Sequence, residues 1–162
     1  MTATTYANPS EDLVLVVTRI FDAPRGLVFK MFTDPKHRAQ FWGPKGFIST
    51  VREMDARPGG AFHIDMRGPD GAICPCEGVY RDVVEPKRIV YSGEPDGKHA
   101  CGGGLPPRTL ETVTFAEHDG KTKLTINTRF EAAADRDAAV KMGFNAGWAS
   151  SLDCLADLLE KL

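Results

Sequence analysis

The sequence predicts an α+β fold: an antiparallel sheet closed by one long C-terminal helix, with two short helices after the first strand. Three observations carry this expectation. From about Ala134 to Leu162 apolar residues recur at Trp148, Leu152, Leu155, Leu159 and Leu162, in steps of four, three, four and three, which trace one face of an α-helix. Before that stretch, several short segments alternate apolar with polar residues, the period of half-buried strands. Turn-forming residues such as Arg57-Pro58-Gly59-Gly60 and Asp119-Gly120 separate those segments at hairpin spacing.

Leu13 to Phe21 is rich in β-branched and apolar residues and reads as the first strand. Asp22-Ala23-Pro24 stops it and opens a helix, with Asp22 or Ala23 at the cap and Pro24 in the first turn. Leu27, Val28, Met31 and Phe32 form the apolar face of that helix. Thr33-Asp34-Pro35 breaks it and caps a shorter helix running to about Phe41, which Trp42-Gly43-Pro44 ends.

Strands are expected over Phe47 to Met54, Ala61 to Arg67, Ile73 to Val84, Arg88 to Ser92, Leu110 to Ala116 and Lys121 to Phe130. In Ala61 to Arg67, Phe62, Ile64 and Met66 share one face, and His63, Asp65 and Arg67 the other. Gly93 to Pro107 holds three consecutive glycines and three prolines. It is too long for a plain hairpin, and reads either as a flap over a cavity mouth or as a disordered insertion.

The terminal helix is expected to start with Asp135 or Asp137 as its cap and to run unbroken. Lys141 and Asn145 continue its apolar stripe toward the N-terminal end, and Gly143 and Gly147 fall mid-helix, where each costs up to ~1 kcal/mol relative to alanine. Two readings follow: the stripe fades and the glycines permit close packing, or this half of the helix borders a cavity that Asn145 faces.

The chain has 162 residues, 42% hydrophobic and 26% charged, the profile of a soluble globular domain. Residues 1–10 read as a loose tail and 11–162 as one domain. The net charge of −2 with scattered basic residues argues against nucleic-acid binding. The apolar runs are far too short for a membrane span, and a cytoplasmic setting is expected.

Cys74-Pro75-Cys76 lacks the spacing of zinc knuckles or dithiol redox sites. With His99 or Cys101 the pair could in principle make a metal site. Use as small hydrophobic residues is the favoured reading, and no metal, cofactor or Cys74–Cys76 disulfide is expected.

Candidates for acid–base work are Asp65, Glu77, Asp82, Glu111, His63 and Tyr80. His63 and Asp65 lie opposite the apolar face of their strand and are expected to be solvated. Tyr80 and Tyr91 read either as cavity residues with a polar tip or as core aromatics satisfied by one hydrogen bond. No catalytic residue is assigned. Nucleophilic triads, metal-binding helices and phosphate loops are not visible, since Gly102-Gly103-Gly104 lacks a following Lys-Ser/Thr.

The element order, together with local sequences, resembles the START-like (SRPBCC, Bet v-like) helix-grip superfamily. Within it the chain is similar to the family named for the activator of the ninety-kilodalton heat-shock chaperone's ATPase. The resemblance rests on Phe21-Asp22-Ala23-Pro24, Phe32-Thr33-Asp34-Pro35, Phe41-Trp42-Gly43-Pro44, Asp55-Ala56-Arg57-Pro58-Gly59-Gly60 with Phe62, Gly78-Val79-Tyr80, Pro86-Lys87-Arg88-Ile89-Val90-Tyr91, and Gly147-Trp148 with Leu152 and Leu155. It covers about Leu13 to Leu162.

The resemblance implies a curved antiparallel sheet wrapped around the long helix, with a cavity between them that takes a lipid, a polyketide-like molecule or another small apolar ligand. Together with the apolar faces, it names Phe32, Phe41, Trp42, Phe62, Ile64, Met66, Tyr91, Phe115, Asn145, Trp148 and Leu152 as the cavity lining. Three functions remain: a binding module for a small hydrophobic ligand, a cyclase- or hydrolase-like enzyme using the same cavity, or a chaperone-linked interaction module. A buried titratable group in the cavity would favour the enzyme. A large exposed apolar patch would favour the interaction module.

Overall fold

Seven strands form one antiparallel sheet in the order β1-β7-β6-β5-β4-β3-β2. The computed structural model describes residues 13–43, 45–93, 109–141 and 143–162. The expected N-terminal tail and most of the Gly93 to Pro107 loop lie outside the described residues.

The strands are β1 (Val14–Phe21), β2 (Ile48–Met54), β3 (Ala61–Arg67), β4 (Ile73–Val84), β5 (Arg88–Gly93), β6 (Thr109–His118) and β7 (Lys121–Phe130). Between β1 and β2 come α1 (Arg25–Thr33) and α2 (Pro35–Phe41), and after β7 come α3 (Ala133–Lys141) and α4 (Phe144–Glu160). The curved sheet presents one face to α1, α2 and α4.

Local chemistry sets most boundaries. Asp34 caps α2 by accepting the Lys36 amide at 2.9 Å, and Pro35 takes the first helical position, where its missing N–H costs nothing. Asp119 and Gly120 both have positive φ, the backbone that a two-residue turn between twisted strands needs. The start of α1 departs from expectation: Pro24 is its cap, extended and without a side-chain hydrogen bond, in place of Asp22 or Ala23. The Pro24 carbonyl accepts the first helical amides, those of Leu27 and Val28, at 3.0 and 3.1 Å.

The larger correction concerns the C-terminal helix. It is two helices, α3 and α4, broken at Gly143, whose φ is +84°. An L-residue pays ~1–2 kcal/mol for that left-handed backbone and glycine does not. The glycine that costs helix propensity when read as mid-helix is therefore the hinge that ends one helix and starts the next.

The break leaves the phase among Asn145, Trp148 and Leu152 unchanged, since all three lie in α4, but it makes Asn145 a first-turn residue. Ser151, Leu152, Leu155 and Leu158 are the buried residues of α4, and Phe144 packs on Phe130 with ring centres 5.7 Å apart. Asn145 is on the face of Leu152, seven residues on, but it sits in the first turn of α4 and is exposed, so the expectation that it faces the interior is corrected. Trp148 is half-buried, and Leu162, expected on the stripe, is 61% exposed past the end of α4.

The helices are fastened to the sheet and to each other by a few polar links. The Ser151 hydroxyl donates to the Phe41 carbonyl at 2.6 Å, tying α4 to α2. Thr122 on β7 donates to the Ala23 carbonyl at 2.6 Å. Arg19 on β1 forms an ion pair with Asp153 on α4, and Arg136 on α3 donates to the Val14 carbonyl at 3.0 Å.

Candidate functional site: a buried polar row on the concave face

The concave face alternates as the sequence suggests. Phe62 and Ile64 from β3, Ile89 and Tyr91 from β5, Val113 and Phe115 from β6, and Leu124 and Ile126 from β7 point inward and are at most 2% exposed. Ten of the eleven expected lining residues meet in this one core. Phe32, Phe41, Trp42, Phe62, Ile64, Tyr91, Phe115 and Leu152 are buried in it, and Met66 and Trp148 are partly buried against it. Only Asn145 stands apart.

The aromatic members touch edge to face. Ring centres are 5.4 Å apart for Phe32 and Phe115, 5.1 Å for Phe32 and Phe41, and 5.3 Å for Trp42 and Trp148. A second group, Phe62, Tyr80 and Tyr91, has spacings of 5.3 to 6.2 Å. Its close packing needs Gly78, where a Cβ would come within 2.4 Å of the Phe62 ring and 2.2 Å of the Ser92 carbonyl oxygen.

Across this apolar wall runs a line of polar side chains. Strand register places Tyr80 opposite Tyr91, Tyr91 opposite Glu111, and Glu111 opposite Thr128. All four are buried. Thr109 donates to the Glu111 carboxylate at 2.6 Å. The hydroxyls of Tyr80, Tyr91 and Thr128 are buried without a protein hydrogen-bond partner. The Tyr91 hydroxyl is electrostatically coupled to Glu111, but the pair lacks full hydrogen-bond geometry.

Arg38 reaches the same region from α2. It is completely buried, and its Nη1 donates to the Phe32 carbonyl at 2.8 Å. Its guanidinium lies over Trp42 at 4.1 Å, 5.5 Å from the Phe32 ring and 5.8 Å from the Tyr91 ring, so it joins the two aromatic groups. Its Nε and Nη2 are buried and unpartnered, as is the Trp42 Nε1. Buried polar atoms in native proteins are almost always hydrogen-bonded. These unpartnered atoms belong to residues of the polar row, Tyr80, Tyr91 and Thr128, and to Arg38 and Trp42 beside it.

The electrostatics follow from burial. Burial pushes the Glu111 carboxyl above the usual glutamate range, against the opposing pull of the Thr109 and Tyr91 donors and the Arg38 charge. Burial also holds the Tyr91 hydroxyl protonated well above the ordinary tyrosine range, with the Glu111 charge reinforcing it and Arg38 opposing it. Tyr91 is thus a neutral donor at physiological pH, beside a carboxyl inclined to keep its proton.

An open cleft of about 440 Å³ adjoins one end of the row, where β5 leaves the sheet and β6 enters it. Leu13, Ser92, Thr109, Leu110 and Phe130 line it, with Arg81, Arg129 and Glu131. None of these was among the expected lining residues. Thr109 belongs to both cleft and row, which places the Glu111 carboxyl one hydrogen bond from the opening.

The other acid–base candidates lie on the convex face. His63 contacts Asp65 at 2.8 Å and Glu77 at 3.2 Å, and Arg52 contacts Asp65 at 2.9 Å. Burial pushes Asp65 up, but the hydrogen bonds from Arg52 and His63 outweigh it and leave the carboxyl below its ordinary value. Asp82 pairs with Arg88 at 2.7 Å. Cys74 and Cys76 are on the concave side of β4, the first buried and the second half-buried, and His99 and Cys101 lie outside the described residues.

Sequence reasoning missed Arg38 and Thr128. A signal existed for each: Arg38 precedes Phe41 and Trp42 by three and four residues on α2, and Thr128 alternates with Leu124, Ile126 and Phe130 on β7.

A curved antiparallel sheet gripping a C-terminal helix, with two helices after the first strand, defines the START-like helix-grip class. Within that class the chain belongs to the family described as Activator of Hsp90 ATPase homolog 1-like protein, whose profile matches residues 22–160. Its fold is similar to that of protein Ms6760 from Mycobacterium smegmatis, at 27% identity over 96% of each chain and a TM-score of 0.81. It is similar also to protein CV1439 from Chromobacterium violaceum, at 29% identity over 91% of this chain and 96% of that one, with a TM-score of 0.73. A solution structure from Arthrobacter aurescens has 22% identity over 99% of this chain and 94% of that one, with a TM-score of 0.84. No curated protein matches the chain. Among the described residues, no helix is long and apolar enough to cross a membrane.

Proposed function

We propose that this protein binds a small, largely apolar ligand carrying a hydrogen-bonding group, held between the concave sheet face and helices α1, α2 and α4. One observation carries the reading: buried polar atoms of Tyr80, Tyr91 and Thr128, lined up across the concave face by strand register, and of Arg38, whose guanidinium lies 5.8 Å from the Tyr91 ring, have no protein partner. Leaving each such group unpaired costs ~1–3 kcal/mol, which a matching ligand or bound water returns. The apolar wall of Phe32, Phe62, Phe115 and Leu152 supplies affinity, and the polar row supplies orientation. The cleft beside Thr109 is the proposed way in.

Native mass spectrometry of freshly purified protein tests this. The expected result is a mass above that of the polypeptide, lost on denaturation. A bare polypeptide mass, together with no change in tryptophan emission on titration with apolar probes, would remove the proposal.

Glu111 favours a second reading, an enzyme of cyclase or hydrolase type. A buried carboxyl beside a neutral tyrosine donor is suited to proton transfer with a bound substrate. A chaperone-linked role has less support. The exposed large apolar residues among those described are scattered: Val16 and Ile20 on β1 at one edge of the sheet, Ile48 on β2 and Ile73 on β4 toward the other, Leu110 on β6, and Val140 and Leu162 in the C-terminal region.

A further inference from the structure

We infer that the ligand carries a carboxylate or a similar planar anion, and that Arg38 is the residue that selects it. This deepens the binding proposal above and rests on it. Arginine offers five N–H donors in a rigid fork, and one edge of that fork is made by Nε and Nη2. In Arg38 the opposite nitrogen, Nη1, is used by the Phe32 carbonyl, while Nε and Nη2 are the two left without partners. The two donors without a protein partner therefore form one edge rather than two scattered points. That edge matches the two oxygens of a carboxylate side-on.

The charge argument agrees. Arg38 is 0% exposed and forms no ion pair with a described residue. A fully buried cation without a counter-anion is among the costliest arrangements in a protein interior. Aromatic faces offset part of that cost: Trp42 lies at 4.1 Å, with Phe32 and Tyr91 beyond it. They do not accept the two N–H groups in the guanidinium plane. Glu111, the carboxyl facing this interior, feels the Arg38 charge but is hydrogen-bonded by Thr109 and forms no ion pair with Arg38. The Tyr80 and Tyr91 hydroxyls and the Trp42 Nε1 are further buried donors without protein partners. A surface with this many donors and one fixed cation suits an acceptor-rich, anionic head, and the phenylalanine wall suits its apolar tail.

The test compares matched head groups on one tail, using calorimetry and tryptophan emission with octanoate, octanol and octylamine, and the same three heads on decyl and dodecyl tails. The wild-type protein should bind the acids about 10- to 100-fold more tightly than the alcohols, and the amines least, as expected for charge-assisted bidentate pairing. In Arg38→Met acid binding should weaken toward that of the alcohol, so that the acid-over-alcohol preference falls to about 1-fold. The wild-type comparison stands alone if that variant does not fold. Equal binding of acid and alcohol in the wild type would overturn the inference and leave the proposed function intact. Binding of none of the series, with no native adduct, would overturn both.

Discussion

The Arg38 guanidinium stacks on the Trp42 indole, its central carbon 4.1 Å from the ring centre, while the Trp42 amide donates to the Arg38 carbonyl at 3.0 Å. The two side chains are therefore held together by the last turn of α2. The stacking is desolvated and should be worth ~2 kcal/mol. A double-mutant cycle of Arg38→Met and Trp42→Leu isolates it, because the loss of the Phe32 carbonyl's donor occurs in both backgrounds and cancels. Denaturant unfolding of the four proteins should give a coupling of ~1–2 kcal/mol. A coupling within the additive range of ~0.3–0.5 kcal/mol would show that Arg38 gains nothing from the ring.

Glu111 gives a pH dependence with a defined sign. Its folded-state proton affinity is raised, chiefly by burial. The folded protein thus binds this proton more tightly than the unfolded chain. The resulting stabilisation is complete below the ordinary glutamate range and is lost as pH rises through the raised value. Glu111→Gln keeps an acceptor for Thr109 and removes the titration. Relative to the variant, wild type should lose stability as pH rises from the ordinary glutamate range through the raised value. The opposite slope would mean that Arg38 and the Thr109 donor hold Glu111 as a carboxylate.

The two glycines of the C-terminal region should behave oppositely. Gly143 has φ +84°, so Gly143→Ala should cost ~1–2 kcal/mol despite open space around its Cβ position. Gly147 lies inside α4, also with nothing within 4 Å of an added Cβ. Gly147→Ala should therefore stabilise by up to ~1 kcal/mol. Thermal melts of the two variants check the pair. Equal effects in both would mean that the helix runs through Gly143.

Gly78→Ala tests the packing of the β4–β5 wall. An added methyl would meet the Ser92 carbonyl oxygen at 2.2 Å and the Phe62 ring at 2.4 Å. The carbonyl belongs to a paired strand and cannot rotate away, so the loss should be ~3 kcal/mol, the upper end of ordinary overpacking. Denaturant midpoints at unchanged slope would measure it. A cost below ~1 kcal/mol would show that the strands separate easily there.

Much of this protein was legible from its residues. Alternation such as Phe62, Ile64 and Met66 on β3 set each strand's inner face, because the period of a strand leaves only two ways to point a side chain. The structure extends the rule to β6, where Glu111 shares the face of Val113 and Phe115. Asp34-Pro35 and Asp119-Gly120 set their boundaries through backbone chemistry that acts within a few residues. Local periodicity did not reveal the helix break, since a left-handed glycine and a helical one look alike in a stripe. Asn145 keeps its place on the face of Leu152, but the break makes it a first-turn residue and it is exposed. Arg38 belongs wholly to the tertiary structure: on a short helix with few apolar residues a basic side chain reads as solvated. Only the packing of α2 against Trp42, Phe32 and the β5 tyrosine takes it out of water. The polar row has the same origin, because Tyr80, Tyr91, Glu111 and Thr128 are distant in sequence and become neighbours through strand register alone. Sequence determined which side of each strand is inside; long-range pairing decided which inward groups meet, and so where the site lies.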